Sequence, residues 1–175
     1  MCGITGIINL NSDLSINPDY ISKMTNAIFH RGPDYGDIYK SNKIHFGHRR
    51  LSIIDLSNNA NQPIFSDDKK YVMVYNGEVY NYKEFIPELI KDGVRLKSES
   101  DTEVLLYLLI KYKEKILDKL VGMFALAFLN RETNEVLLIR DRTGVKPLYY
   151  TIQNGFFYFS SEKKSFFAIN LQKEI

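Results

Sequence analysis

The chain is poor in the residues that stabilise small secreted domains and form multi-cysteine metal sites. Its 175 residues include one cysteine, Cys2, which excludes a disulfide framework and a zinc site built from several cysteines. Tryptophan is absent, and the longest apolar stretch, 121–129, is far shorter than the roughly 20 residues of a membrane-spanning helix. No Lys or Arg precedes Lys23, so the charged start of a secretory signal is missing. We therefore expect a cytoplasmic protein without membrane association.

Signals for phosphate, nucleic acid and metal are also scarce. The ten glycines form no Gly-x-x-x-x-Gly-Lys run, so no nucleotide site is expected within this chain. The 23 basic and 21 acidic residues give a net charge of +2, which argues against a dedicated nucleic-acid binder. His45 and His48 stand three apart on a predicted strand and face opposite sides, so no metal site is expected.

The remaining composition is that of a globular domain, with 45 % hydrophobic and 25 % charged residues. Strands are predicted at 3–9, in 36–54 about a turn at 41–42, and at 71–75. Hairpins are predicted over 123–139 and over 147–161, the second with its turn at Asn154-Gly155. Helices are predicted from Pro18, at 83–92 and, after a capping box at Ser100–Glu103, from Val104 to Tyr112, with a loop at 55–66. Strands at both ends and helices between them predict an α+β fold, with two stacked sheets and helices outside.

Cys2 is the candidate nucleophile. A cysteine thiolate is strongly nucleophilic, but the thiol needs a base that takes its proton. If Met1 is removed, the α-amine of Cys2 becomes the N-terminus, with a reference pKa of about 7.7–8.0, and base and nucleophile share one residue. A passive, buried cysteine at the start of a strand is the alternative, and position alone leaves it open.

Asn76 and Gly77 allow two interpretations. Asn-Gly is a strong signal for a tight type I′ turn. The pair can also form an oxyanion hole, because an Asn amide and a Gly backbone N–H can converge on one oxygen. Glycine favours this second role, since it lets the backbone approach a ligand closely. Glu78 follows and, taken alone, is an ordinary solvated charge.

Arg50 and Asp101 are candidates for binding a free α-amino acid. Neighbouring strand residues face opposite sides, so Arg49 and Arg50 cannot both face one site. One Arg could hold a carboxylate with two hydrogen bonds, and Asp101 could hold an ammonium. The alternatives are a basic pair at the surface and an acid favoured by the helix dipole within the capping box Ser100–Glu103.

Several motifs follow one another in a fixed order along the chain. They are Met1-Cys2-Gly3-Ile4, His30-Arg31-Gly32-Pro33-Asp34, 47–55, Gln62-Pro63, Tyr75–Asn81, Ser100–Glu103, 122–125 and 140–150. The first two resemble the class II glutamine amidotransferases, which are N-terminal nucleophile hydrolases. The whole run, from residue 2 to about 162, is similar to the glutaminase domain of the glutamine-hydrolysing asparagine synthetases.

This resemblance implies a four-layer αββα sandwich of the N-terminal nucleophile hydrolase type. It implies that Cys2 attacks the side-chain amide of glutamine, that its α-amine relays the proton, and that Asn76 and Gly77 hold the oxyanion. Ammonia would leave, and water would release glutamate from a γ-glutamyl thioester. The implied substrate-binding residues are Arg50 on the α-carboxylate, Asp101 on the ammonium, and Leu51, Ile53, Asn76, Gly77 and Glu78 around the rest.

The resemblance also implies a partner. We expect residues 1–175 to be one glutaminase domain that supplies ammonia for ATP-dependent synthesis of asparagine from aspartate. The family's synthetase domain, with its Ser-Gly-Gly-x-Asp-Ser loop, has no counterpart in this chain, so ATP and Mg are expected only there and no cofactor here. The chain would be a fragment or a free-standing subunit, with a homodimer allowed. The alternatives are an amidotransferase with a sugar or peptide acceptor, and a non-catalytic glutamine-binding domain.

Overall fold

Two antiparallel sheets form the centre of the molecule in a computed structural model that describes residues 1–52 and 60–171. The strands are β1 (Gly3–Asn9), β2 (Tyr35–Lys40), β3 (Ile44–Arg50), β4 (Ile64–Phe65), β5 (Tyr71–Val79), β6 (Gly122–Asn130), β7 (Glu135–Arg140), β8 (Tyr149–Gln153) and β9 (Phe156–Ser160). The helices are α1 (Tyr20–Ala27), α2 (Ile86–Lys91), α3 (Asp101–Tyr112) and α4 (Lys164–Phe167). Short 3₁₀ turns lie at Phe29–Arg31, Tyr82–Phe85 and Lys113–Asp118. None of the helices in the described ranges is long and apolar enough to cross a membrane.

The strand order is β2-β3-β1-β9-β8 in the first sheet and β4-β5-β6-β7 in the second. Between the sheets, Phe46 and Phe159 of the first pack with Val72 and Val74 of the second. Each side chain of this kind stabilises the fold by about 1.5–3 kcal/mol when fully buried.

Helices cover both outer faces of the stacked sheets. α1 and α4 place Met24 and Phe166 against Ile7 on the outer face of the first sheet. α3 packs Leu105 against Met73 on the outer face of the second. The four layers expected from the family resemblance, αββα, are therefore confirmed.

The interpretation of Asn76-Gly77 as a tight turn is wrong, because β5 continues through both residues to Val79. β6 pairs with β5 without interruption, from Tyr71 opposite Asn130 to Val79 opposite Gly122. A Cβ on Gly77 would lie 2.7 Å from the Cα of Phe124, so glycine allows the two strands to approach at this point. A partner strand remote in sequence therefore overrides the local turn preference.

Other boundaries differ from the predictions by a few residues. Ile64–Phe65 form β4 within the predicted loop, whose part 55–59 lies outside the described residues. The predicted helix 83–92 starts as a 3₁₀ turn, because Pro87 stands in the first turn of α2. The predicted hairpin turn at Asn154-Gly155 is confirmed, with positive φ angles of 53° and 80° that suit a type I′ turn.

The loop between β7 and β8 is held by one carboxylate. Asp141 accepts hydrogen bonds from the backbone N–H groups of Phe124 (3.2 Å), Val145 (3.0 Å) and Lys146 (3.0 Å), and from the Thr143 hydroxyl (2.9 Å). Burial acts to raise the pKa of Asp141, but these hydrogen bonds to its charged form outweigh burial and lower the pKa to about 2. The ionised carboxylate therefore fixes the loop that carries Lys146.

We expect Asp141→Asn to lower the free energy of unfolding at pH 7 by about 2–3 kcal/mol, because Asn resembles the protonated acid. The pKa is depressed from 3.8 to about 2, so this stability is present above pH 3.8 and is lost as the pH falls towards 2. Urea unfolding of both proteins at several pH values should show the difference narrowing below pH 4. Asp13→Asn, which removes an exposed acid, is the control. Equal stability at pH 7 would contradict this account of the loop.

Candidate active site

A cavity of about 390 Å³ opens where β1 begins and where β3 and β5 end. The described residues predicted for the site all line it: Cys2, Arg50, Leu51, Asn76, Gly77, Glu78 and Asp101. Ile53, also predicted, lies outside the described residues. The size suits a small ligand, since pockets for small molecules start at about 300 Å³.

Cys2 stands just before β1, and its neighbours hold it at the cavity wall. The backbone N–H of Leu51 donates to Sγ at 3.4 Å, and Sγ lies 3.6 Å from the Leu51 carbonyl. The carbonyl of Cys2 accepts a hydrogen bond from Nε of Arg31 at 2.9 Å, and Arg31 in turn forms an ion pair with Glu162 at 2.9 Å. Leu51 thus orients the side chain of the candidate nucleophile, and Arg31 orients its backbone.

Asn76 brings an unused donor to this cavity. Alternation along β5 places its side chain on the same face as Val72 and Val74, which looks towards the first sheet. The residue is 1 % exposed, and its Nδ2 has no hydrogen-bond partner among the described residues. A buried donor without a partner costs about 1–3 kcal/mol, and a ligand atom that accepted from this amide would remove that cost.

The backbone of Gly77 supplies a second donor. On either side of it, Tyr75 N–H donates to Oε1 of Gln62 (2.6 Å) and Val79 N–H donates to Oδ2 of Asp101 (2.9 Å), on the edge of β5 away from β6. Backbone N–H groups alternate in direction along an antiparallel strand, so the Gly77 N–H faces this same edge. The structure thus brings the Asn76 amide and the Gly77 N–H to one cavity, as an oxyanion hole requires.

Two buried charges of opposite sign share the cavity wall. Arg50 is 7 % exposed, and its Nη1 donates to Oδ1 of Asn61 at 2.6 Å. Arg49 points the other way and donates to the Thr25 carbonyl in α1 at 3.2 Å, which confirms the predicted alternation. Asp101 is 4 % exposed at the start of α3. The cavity therefore offers a cation and an acid to one ligand.

The environment of Asp101 fixes its position and shifts its pKa. Ser100 caps α3, accepting the Glu103 N–H at 3.4 Å, while Oδ2 of Asp101 accepts the Tyr75 hydroxyl at 2.6 Å. Burial raises the pKa of Asp101, although the hydrogen bonds from Tyr75 and the Val79 N–H favour its ionised form. The Glu103 carboxylate departs from the predicted capping box, because it accepts the N–H groups of the preceding loop instead of that of Ser100.

Three residues that support these groups are not predicted from the sequence: Tyr75, Gln62 and His48. The side chain of Tyr75 faces the helix layer. From the sequence, Tyr75 is only the end of a strand and the start of a motif, and Gln62 is only part of a motif. His48 is fully buried, and its burial lowers its pKa to about 3, so it is neutral at working pH. Its position two residues before Arg50 on β3 was a usable signal, since alternation puts both on one face.

Comparison with known proteins identifies the family of the chain. Residues 1–175 match the family model described as a glutamine amidotransferase domain. The chain is 41 % identical over 177 residues to asparagine synthetase [glutamine-hydrolyzing] 1 of Bacillus subtilis, covering 100 % of this chain and 28 % of the relative. It is 35 % identical to asparagine synthetase B [glutamine-hydrolyzing] of Escherichia coli, covering 94 % of this chain and 30 % of the relative. The chain thus spans less than a third of these relatives.

A solved structure supports the fold. Glutamine phosphoribosylpyrophosphate amidotransferase from B. subtilis superimposes with a TM-score of 0.78 at 21 % identity, covering 96 % of this chain and 43 % of that one. At this identity the likeness concerns architecture alone. Since the family model spans the chain from end to end, the chain belongs to the glutamine amidotransferase domain family.

Proposed function

We propose that this chain hydrolyses glutamine to glutamate and ammonia through a thioester on Cys2. The composition of one cavity wall supports this most. The wall combines the Cys2 thiol, the Asn76 amide without a partner among the described residues, the Gly77 backbone, Arg50 and Asp101. A thiol and two donors at one cavity suit attack on a carbonyl carbon. A buried cation and a buried acid at the same cavity suit the two charges of an α-amino acid.

The reaction starts once Met1 is removed, which also frees space, because Met1 itself lines the cavity. The α-amine of Cys2 takes the thiol proton, and Sγ attacks the side-chain amide carbon of glutamine. The negative charge on the former carbonyl oxygen is held by the Asn76 amide and the Gly77 N–H. The protonated amine then returns its proton to the leaving nitrogen, so that ammonia departs and a thioester remains.

Water completes the cycle by attacking the thioester, with the α-amine again as base. The second tetrahedral intermediate uses the same two donors, and its collapse releases glutamate and restores the thiol. Arg50 binds the α-carboxylate throughout, and Asp101 binds the ammonium. Leu51, Ile53 and Glu78 complete the binding site in this proposal.

The ammonia serves a synthetase domain or subunit. The relatives in B. subtilis and E. coli are named glutamine-hydrolysing asparagine synthetases, and this chain spans 28–30 % of their length. We therefore propose that the acceptor is aspartate, converted to asparagine with ATP outside this chain. The single thiol, Cys2, would stay reduced in the cytoplasm, where we place the reaction.

Cys2→Ser tests the nucleophile. A hydroxyl is much less nucleophilic than a thiolate, so we expect glutamate release to fall by at least about 10³-fold. Glutamine binding, measured by calorimetry, should change by less than about twofold, because Arg50 and Asp101 are untouched. Normal turnover by Cys2→Ser would remove Cys2 from the mechanism.

Arg50→Ala tests the carboxylate site, with Arg49→Ala as its matched control. Loss of a buried charge that pairs with the ligand should weaken glutamine binding by about 2–5 kcal/mol. Arg49→Ala removes the neighbouring guanidinium, which contacts α1 and lies outside the cavity, so its KM for glutamine should match that of the parent. Unchanged glutamine affinity in Arg50→Ala would contradict the assigned role.

A further inference from the structure

Where it borders the cavity, the edge of β5 has no strand partner within residues 1–52 and 60–171. β4 pairs only with Met73 and Val72, so beyond Val74 the backbone of β5 has no neighbouring strand on this side among the described residues. Side chains take the place of that strand at Tyr75. Oε1 of Gln62 accepts its N–H at 2.6 Å, and Nε2 of His48 lies 3.0 Å from its carbonyl oxygen.

We propose that His48, together with Gln62, is a positioning residue for the oxyanion hole formed by Asn76 and Gly77. The two side chains fix the backbone of Tyr75, the residue immediately before the hole, where no described strand pairs with it. This inference rests on the proposed function, since it names residues that serve the same reaction.

His48 is poorly explained as a core residue. It follows Ile44 and Phe46 in the row of β3 side chains that faces the second sheet, and it is 0 % exposed. Its Nδ1 has no partner among the described residues, which is costly for a buried polar atom. A Leu would fill this place more favourably, so the interaction of Nε2 with the Tyr75 carbonyl is what the histidine provides.

The neutral state of His48 fixes the direction of its hydrogen bond. Burial and the nearby Arg50 cation both disfavour a second proton, and the pKa is lowered to about 3. A carbonyl oxygen only accepts, so the single proton of the ring lies on Nε2 and is donated to Tyr75. The orphaned Nδ1 is then the unprotonated nitrogen.

The carbonyl of Tyr75 belongs to the same rigid peptide plane as the N–H of Asn76. A rotation of this plane turns the Asn76 side chain. It also displaces the Gly77 N–H, which belongs to the next peptide group. Oxyanion stabilisation depends on donors held within a few tenths of an ångström, and it acts more in the transition state than in the ground state. Loss of His48 should therefore lower kcat and leave KM nearly unchanged.

The test compares His48→Leu, which fills the space without a donor, with His48→Gln, whose amide can reach the same carbonyl. His45→Leu is the matched control, because His45 is 5 % exposed on the same strand but faces the opposite side. For each protein we would measure kcat and KM for glutamine, the affinity for glutamate and the melting temperature.

We expect His48→Leu to lower kcat by about 10²-fold, with KM and glutamate affinity within about twofold of the parent. His48→Gln should recover most of the loss, and His45→Leu should keep the parental kcat. An unchanged kcat in His48→Leu would overturn the inference. So would a loss that His48→Gln does not recover, or one that His45→Leu reproduces.

A second measurement separates this inference from the proposed function. The ¹⁵N chemical shift of the Asn76 backbone amide reports the hydrogen bond to the Tyr75 carbonyl, and its measurement needs no turnover. If the parent does not hydrolyse glutamine, the proposed function fails, yet a change of this chemical shift in His48→Leu that His48→Gln reverses would still support the positioning role.

If His48→Leu does not fold, Gln62→Met takes its place, with the same selective loss of kcat expected. An unchanged kcat in Gln62→Met, or an Asn76 signal that neither substitution moves, would overturn it.

Discussion

The site depends on one constraint, the edge of β5 that no described strand pairs with beyond Val74. β5 stays paired with β6 up to Val79, while β4 accompanies it only at Val72 and Met73. Had β4 continued, its backbone would have taken the Gly77 N–H into the sheet ladder. Because it stops, side chains bind the N–H groups of Tyr75 and Val79, and the Gly77 N–H between them stays outside the ladder of the described strands.

Stacking of the two sheets then brings the thiol to this edge. β1 pairs with β3 in a register that sets Gly3 opposite Arg49, so Cys2 and Arg50 lie side by side where these strands meet the cavity. α3 contributes Asp101 from the outer layer of the second sheet. Every layer except the α1–α4 layer therefore supplies a group to the cavity. The buried Asn76 donor and the buried charges of Arg50 and Asp101 each lower the stability of the fold.

Local signals in the sequence predicted the local structure. The hairpin turn at Asn154-Gly155, the cap at Ser100 and the alternation of Arg49 and Arg50 all depend on neighbours within a few residues. The strand through Asn76-Gly77 was not predictable in this way, because its cause is pairing with β6, about 50 residues away. Motif resemblance named the residues that line the cavity, whereas contacts such as His48 to Tyr75, 27 residues apart, require the fold.

The central claim is that Cys2, once N-terminal, is an activated nucleophile in a glutamine-shaped cavity. Intact mass spectrometry before and after exposure to a diazoketone analogue of glutamine tests it most directly. The account predicts a protein that lacks Met1 and gains one adduct on Cys2, which excess glutamine suppresses. A protein that retains Met1 and gains no adduct would contradict the claim, and glutamine binding without turnover would then be the better description.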